Sequence, residues 1–164
     1  MPVFVVHKHK AHRLHYDFRL EMGGALKSWA VPKGPSLVTS VKRLAVMVED
    51  HALDYGGFEG VIPADEYGAG PVMIWDEGDL TWEALKDPEA MLDAGVLEFS
   101  LAGRKLRGRF KLVHARLGGD ERNWLLIKRK DEYAEGADDV LTRLPDSVRS
   151  GRTMEEIAEE APGK

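Results

Sequence analysis

Cysteine is absent from the 164 residues. The chain therefore forms no disulfide and offers no thiolate to a metal, which leaves nitrogen and oxygen atoms as metal ligands. The sequence also lacks an apolar run of the roughly 18 residues that a membrane span needs, and no signal peptide precedes the first predicted strand. We therefore expect a cytoplasmic protein without a membrane partner.

An overall excess of positive charge is lacking too, because the formal net charge is −5. This argues against a protein that coats nucleic acid indiscriminately. The charge is unevenly distributed, however. Residues 1–43 contain eight Lys or Arg and two acids, a balance of +6, which leaves −11 for the rest of the chain. A cationic N-terminal third that also holds most of the histidines indicates an anionic ligand at one location.

Long helical patterns are scarce, and short alternating segments dominate. Strands are predicted over residues 3–9, 14–21, 25–31, 44–49, 58–62, 72–76, 79–82, 96–101, 106–116 and 123–130. Glycine pairs at 23–24 and 118–119 mark hairpins, and Glu77-Gly78 is predicted to be a turn. Many short strands joined by tight turns favour an all-β fold, either an antiparallel barrel or a sandwich.

Two short helices are predicted. The first covers residues 87–94, with Pro88 at the first helical position and Gly95 at the end. The second covers residues 154–161, preceded by a capping box of Thr153 and Glu156. Because residues from about 135 onward have few apolar anchors, we expect a barrel domain over 1–134 and an acidic tail or linker with a loosely attached helix over 135–164.

One stretch near the N-terminus concentrates ionisable side chains. Four of the six histidines lie between positions 7 and 15. From residue 14 onward the sequence alternates, so that His15, Asp17 and Arg19 share one face of a predicted strand and apolar residues share the other. One face of this strand is suited to a core, and the other aligns an imidazole, a carboxylate and a guanidinium.

Histidine and carboxylate side chains together suit manganese, iron or zinc. His15 and Asp17 are close enough on one face to bind the same ion, and His9 of the preceding strand completes the set if the two strands are neighbours. Three protein ligands leave open positions, as a catalytic metal requires. Arg19 follows on the same face, where it can bind an oxyanion through two nitrogens.

Other interpretations of these residues remain open. The His15–Asp17 pair, with His51 or His114 as a third ligand, would match the facial triad of a non-haem iron oxygenase. A non-catalytic nucleic-acid-binding module would use the Arg and Lys residues alone, without a metal. A solvated cluster of histidines would have no function at all.

Longer motifs resemble one known family. They are His9-x5-His15-Tyr-Asp-Phe-Arg-Leu-Glu21, Leu26-Lys-Ser-Trp-Ala-Val-Pro-Lys-Gly-Pro35 and Val48-Glu-Asp-His-x2-Asp-Tyr-x2-Phe-Glu-Gly-x-Ile-Pro63. These residues are similar to the 3′-phosphoesterase domain of bacterial DNA ligase D and its free-standing relatives. The likeness is dense through residues 3–76 and weaker beyond.

This resemblance implies a compact antiparallel β-barrel with a polar cavity and one or two short flanking helices. It implies a Mn²⁺-dependent enzyme that removes a 3′-terminal ribonucleoside and then the 3′-phosphate from DNA, for repair by non-homologous end joining. The implied site residues are the metal ligands His9, His15 and Asp17, the phosphate contacts Arg19 and His51, and the further positions Lys33, Arg43 and Tyr55.

The resemblance also implies partners, and the sequence departs from the family pattern at His7. The expected partners are primer-template 3′ ends, with Ku and a DNA ligase or polymerase, and we expect a monomer with a nucleoid-associated role. The tail over 147–153 resembles the linker that precedes the ligase module in fused proteins. His7 stands where relatives commonly have glutamine. His12 and His114 match no ligand position, and each is expected to be a surface residue or a satisfied polar residue.

Overall fold

A computed structural model of the protein describes residues 1–160, and nine strands form the framework of this range. They are β1 (Val3–Lys10), β2 (Leu14–Met22), β3 (Ala25–Val31), β4 (Lys42–His51), β5 (Gly60–Ile62), β6 (Gly70–Trp82), β7 (Val96–Ala102), β8 (Arg107–His114) and β9 (Asn123–Lys128). Eight of them form a closed antiparallel barrel in the order β1-β2-β3-β4-β9-β8-β7-β6, since β6 also pairs with β1. The expected antiparallel barrel is confirmed.

The two faces of the strands have different surroundings. Phe4 and Val6 of β1 and Tyr16 and Phe18 of β2 belong to a large apolar cluster to which every barrel strand contributes. Successive side chains of a strand point to opposite faces, so the odd-numbered residues of β1 and β2 lie on the outer face. The outer face of the barrel wall therefore presents His7, His9, His15, Asp17 and Arg19.

The predicted turn at Glu77-Gly78 is wrong, because β6 runs through both residues as one strand of 13 residues. Gly78 serves a different purpose there. A Cβ atom at this position would overlap the carbonyl oxygen of Ala102, so the missing side chain allows β6 and β7 to approach each other closely. A glycine that permits close backbone contact looks the same in a sequence as a glycine that makes a turn.

The predicted first helix is confirmed as α1 (Pro88–Ala94). Its N-cap residue Asp87 accepts a hydrogen bond from the backbone N–H of Ala90, and Gly95 ends the helix in the left-handed conformation (φ 85°). Two short 3₁₀ helices, Leu53–Gly57 and Leu117–Gly119, lie in loops. The first of them follows β4 and, with β5, covers part of the outer face.

The segment after residue 134 packs against the barrel. It contains α2 (Val140–Arg143) and α3 (Met154–Ala158), and the capping box that precedes α3 is formed as predicted. Buried side chains of both helices join the barrel core: Val140, Met154 and Ile157. The expected loose attachment is therefore wrong, because a few well-placed apolar residues suffice as anchors. The domain boundary at residue 134 stays a prediction, and residue 161 of the predicted helix lies outside the described range.

No helix within residues 1–160 has both the length and the apolar character needed to span a membrane.

Candidate metal and phosphate site

The β1–β2 hairpin brings three potential metal ligands together. In its register His9 lies directly opposite His15, and His7 lies opposite Asp17. Oδ2 of Asp17 lies 3.6 Å from Nδ1 of His9 and 3.2 Å from Nε2 of His15. One ligand atom from each of these three residues lies within 4.8 Å of the other two. The expected neighbourhood of His9, His15 and Asp17 is thus present.

Hydrogen bonds to backbone carbonyls fix which ring nitrogen each histidine offers. Nε2 of His9 lies 2.7 Å from the carbonyl oxygen of Gly68 and must carry a proton there, since a carbonyl only accepts. Nδ1 of His15 likewise donates to the carbonyl of Arg13 at 3.2 Å. The remaining nitrogens, Nδ1 of His9 and Nε2 of His15, are those that face Asp17. This is the orientation that metal-binding histidines show, so the donor set fits a divalent ion.

The carboxylate of Asp17 is ionised in this setting. Burial works against its negative charge, but hydrogen bonds from His15 and His9 and the charge of Arg19 outweigh burial and hold the pKa of Asp17 well below its usual range. The hydrogen bond with Asp17 raises the pKa of His15 above its ordinary value. A proton on Nε2 of His15 occupies the place that a metal ion would take.

Arg19 lies beside this set and is 2% exposed. Its Nη2 lies 3.3 Å from Oδ2 of Asp17, and its Nη1 donates to Oγ of Ser28 at 2.9 Å. Ser28 is the cross-strand partner of Arg19 in β3. A guanidinium that is held at several nitrogens has a fixed direction, and its burial strengthens its interaction with an anion.

His7 orients Arg19. Nε of Arg19 donates to Nδ1 of His7 at 2.9 Å, so Nδ1 carries no proton. The other ring nitrogen, Nε2, donates to the carbonyl of Phe58 at 3.1 Å. Burial, and then the charge of Arg19, lower the pKa of His7 to about 3, which keeps the ring neutral. His7 therefore connects the guanidinium to the segment that covers the outer face.

His51 and Tyr55 form the other side of the site. Nδ1 of His51 lies 3.1 Å from Nη1 of Arg19 and 3.1 Å from the carbonyl oxygen of Glu49. These two bonds are alternatives, because Arg19 only donates and the carbonyl only accepts. The Tyr55 ring lies 5.1 Å from the guanidinium carbon and 5.0 Å from the His51 ring. Burial and the charge of Arg19 lower the pKa of His51, so this ring too is neutral near pH 7.

Lys33 and Arg43 lie apart from this cluster. Lys33 is exposed just after β3, two residues beyond Val31, the cross-strand partner of Tyr16. It therefore lies at the end of the ladder where His15 is found. Arg43 donates to the carbonyl of Gly34 at 2.8 Å and pairs with Asp138 at 2.6 Å. Arg43 thus holds the turn that carries Lys33, rather than contacting the proposed metal ligands.

Three groups that the site uses have no role assigned from the sequence alone. Ser28 could have been found from alternation, since it shares a strand face with Leu26 and faces Arg19 once the hairpin register is known. His7 alternates with His9 along β1, so periodicity puts the two side chains on the same face but assigns no function to His7. The role of the Gly68 carbonyl is not visible in the sequence, because every residue has a backbone carbonyl and any residue type could supply this acceptor.

The remaining histidines do not join the His15–Asp17 pair within the described range. His114 stacks on the Trp124 ring with a centroid distance of 4.7 Å and donates to the carbonyl of Glu121 at 2.6 Å. His12 is exposed in the turn between β1 and β2. His51 is bonded to Arg19 or to the carbonyl of Glu49 instead. Neither His51 nor His114 therefore completes an iron-oxygenase triad.

Comparison with known proteins gives the family. A model of the DNA ligase D 3′-phosphoesterase domain matches residues 7–114, which contain all the residues of this site. The chain belongs to this family. The resemblance noted in the sequence is confirmed.

Longer proteins contain sequences similar to this phosphoesterase-family chain. The multifunctional non-homologous end joining protein LigD of Pseudomonas aeruginosa is 56% identical over 153 residues, which is 92% of this chain and 18% of that protein. The proteins of the same name from Mycobacterium bovis and Mycolicibacterium smegmatis are 46% and 42% identical over 129 and 145 residues, or 79% and 86% of this chain and 16% and 18% of theirs. The chain thus spans less than a fifth of the length of these curated relatives.

Proposed function

We propose that this phosphoesterase-family chain is a Mn²⁺-dependent hydrolase that removes a terminal ribonucleoside and then the 3′-phosphate from DNA 3′ ends. The observation that carries the proposal is the contact between a divalent-metal donor set and a buried arginine on one strand face. Asp17 belongs to both, since its Oδ2 lies near His9, His15 and Arg19. A phosphate that bridges an ion and a guanidinium would have two of its oxygens neutralised.

The proposed metal ligands are Nδ1 of His9, Nε2 of His15 and a carboxylate oxygen of Asp17. Mixed nitrogen and oxygen ligation with open positions suits Mn²⁺. The bound ion would supply Lewis-acid polarisation of a phosphate oxygen and a template for in-line attack by water. The chain itself contributes the orientation of both histidines, through the carbonyls of Gly68 and Arg13.

Arg19 is proposed to bind the equatorial oxygens of the reacting phosphate. His51 is proposed to donate from Nε2, which carries the ring proton when Nδ1 accepts from Arg19. A neutral imidazole is suited to donating a hydrogen bond in this way, so we assign His51 as a donor rather than as a general acid. Tyr55 packs against both side chains and limits their motion.

Lys33 and Arg43 are proposed to act on the DNA strand rather than on the reacting phosphate. Lys10 is exposed at the end of β1, and Arg13 and Lys33 are exposed in the turns that follow β1 and β3. All three therefore lie at the end of the hairpin where His9 and His15 are found. Such cations bind backbone phosphates in a salt-dependent manner. Arg43 supports this role indirectly by holding the Lys33 turn through Gly34.

The two proposed steps are hydrolytic and need no other reactant than water. In the first, water attacks phosphorus and the bond to the 5′ oxygen of the terminal ribonucleoside breaks, which releases the nucleoside and leaves a 3′-phosphate. In the second, water attacks the same phosphorus and the bond to the 3′ oxygen breaks. Inorganic phosphate and a 3′-OH result, and a polymerase or ligase can use that 3′ end.

The cellular setting is proposed from the relatives, whose names describe non-homologous end joining. We propose that the chain acts as a monomer on broken DNA in the cytoplasm, at the nucleoid, together with Ku and a DNA ligase or polymerase. The region 135–164 is proposed to be the tail or linker of the phosphoesterase domain.

A labelled primer-template tests the proposed activity. A 5′-labelled primer that ends in one ribonucleotide is incubated with the protein and Mn²⁺ or with EDTA. We expect stepwise conversion to a shorter primer with a 3′-phosphate and then to the 3′-OH form, with no change in EDTA. Absence of shortening with Mn²⁺, together with tight, EDTA-insensitive and salt-sensitive DNA binding, would instead support a binding module.

Substitution of His7 tests how Arg19 is positioned. His7→Ala removes the acceptor of Arg19 Nε, and we expect kcat/KM for primer trimming to fall roughly tenfold or more, in line with the loss of supporting interactions at other metal sites. His7→Gln restores an acceptor and a donor on one side chain, so its activity should stay within a few-fold of that of the unmodified protein. Equal losses in both variants would contradict the positioning role.

A further inference from the structure

A cleft of about 370 Å³ opens next to the site. His51 and Tyr55 belong to its wall, and both side chains also contact Arg19. The cleft is therefore continuous with the place proposed for the reacting phosphate. Its volume lies at the lower end of the range for small-molecule sites, which suits a single nucleoside.

The lining of the cleft does not suit a second phosphate. Within the described residues it contains no Lys or Arg, its walls include Phe58 and Pro63, and its one acidic side chain is Glu66. A carboxylate repels phosphate, whereas it accepts hydrogen bonds from sugar hydroxyls and base amino groups. The occupant that fits is an uncharged group with an aromatic face and hydroxyls.

Tyr67 stands at this cleft with its side chain fully exposed. Among the Phe, Trp and Tyr residues of positions 1–160 it is the most exposed, at 104%, and the next, Tyr133, is 41% exposed. A lone exposed aromatic needs no explanation by itself. Here the ring belongs to a cleft that adjoins the site, and aromatic rings of this kind stack with nucleobases.

The loop that carries Tyr67 is hydrogen-bonded to His9, one of the proposed metal ligands. The carbonyl of the next residue, Gly68, accepts the hydrogen bond from Nε2 of His9 at 2.7 Å. At the other end of the loop, a Cβ atom on Gly70 would overlap the Lys10 carbonyl, so the backbones of the two segments are in close contact. These contacts give Tyr67 a defined place relative to the proposed ion.

We propose that this cleft binds the 3′-terminal nucleoside that the enzyme releases, with its base stacked on Tyr67. The proposal rests on the function proposed above and names a substrate-binding subsite for it. A scissile phosphodiester has a nucleoside on each side. The retained one continues into further phosphates, which would be disfavoured near Glu66, whereas the terminal one carries none. The retained strand instead has the exposed cations Lys10, Arg13 and Lys33 available.

Two primers that differ by the terminal nucleoside test the assignment. One ends in a ribonucleoside and the other in a 3′-phosphate, and both are assayed with Mn²⁺. Tyr67→Ala should lower kcat/KM about 5- to 100-fold for the first primer, as expected from the loss of one base stack, and leave the second within about twofold. Tyr67→Phe keeps the ring and should behave as the unmodified protein, as should the control Tyr133→Ala.

A binding measurement without turnover separates this proposal from the activity itself. A primer with a 3′-terminal 2-aminopurine riboside is titrated with the protein in EDTA, and its fluorescence should be quenched by stacking, but not with Tyr67→Ala. If the unmodified protein processes neither primer, the proposed function is refuted. The fluorescence quenching then decides by itself whether the cleft binds the terminal nucleoside. Equal losses on both primers, no loss on the first, or unchanged quenching would overturn the assignment to the terminal nucleoside.

Discussion

Asp17→Asn should reduce Mn²⁺-dependent primer trimming by about 10³-fold or more. The substitution keeps the size of the side chain but removes the negative charge shared by the proposed ion, His15 and Arg19. A catalytic ion contributes several kcal/mol to transition-state stabilisation, so loss of its carboxylate ligand has a large effect on rate. Single-turnover rates of primer shortening at saturating Mn²⁺ provide the measurement.

The fold should survive this change, because Tyr16 and Phe18 on either side make the core contacts. We expect the free energy of unfolding to fall by about 2 kcal/mol, since a charged hydrogen-bond partner of the buried Arg19 is weakened. Urea denaturation would show this. Asp120→Asn is a matched control, because Asp120 is partly exposed and pairs with Arg122 alone within the described range. Full activity of Asp17→Asn would show that the ligand assignment is wrong.

Arg19→Lys should lower kcat/KM for trimming by roughly 10²-fold, although it keeps the positive charge. A lysine ammonium cannot reproduce the planar arrangement in which Nε donates to His7 while Nη1 donates to Ser28. Loss of one preorganised donor to a transition-state oxyanion typically costs 10²- to 10³-fold. Arg19→Ala should cost at least ten times more than Arg19→Lys, because the charge is lost as well.

The exposed Arg122 provides the control for this pair, since Arg122→Lys makes the same chemical change away from the site. Thermal melting of all variants should accompany the kinetics, so that a loss of folded protein is not mistaken for a loss of catalysis. If Arg19→Lys were as active as the unmodified protein, the fixed direction of the guanidinium would be irrelevant to the reaction.

Much of the site was predictable because it lies on a single β-hairpin. Alternation with a period of two places His15, Asp17 and Arg19 on one face regardless of what surrounds the strand. The pairing of β1 with β2 then brings His9 opposite His15, as in the observed register. Local patterns of this kind depend on neighbouring residues alone, and they also sufficed for α1 and for the capping box of α3.

Features that depend on distant segments were not predictable in this way. The tautomer of His7 is set by the Phe58 carbonyl, 51 residues away in the chain. The tautomer of His9 is set by the Gly68 carbonyl, 59 residues away. The sequence around Gly78 predicts a turn, because nothing near it in the chain indicates that it packs against Ala102 of another strand. Similarly, Met154 and Ile157 become anchors only once α3 meets the barrel.

The separation of the two strand faces explains how a stable barrel can carry a charged site. The interior faces of β1 and β2 contribute Phe4, Val6, Tyr16 and Phe18 to the core, so polar changes on the outer face leave that packing in place. The buried charges of the outer face are paired with one another, as Asp17 and Arg19 show. Burial of unpaired charges would have been costly.

Manganese binding measured together with activity tests the central proposal most directly. The concentration of free Mn²⁺ is followed by electron paramagnetic resonance while primer trimming is measured in the same titration. We predict one ion bound per chain, a common midpoint for binding and activity, and loss of both in Asp17→Asn. Trimming that persists in EDTA, or Mn²⁺ binding that is unchanged in Asp17→Asn, would contradict a catalytic metal site at His9, His15 and Asp17.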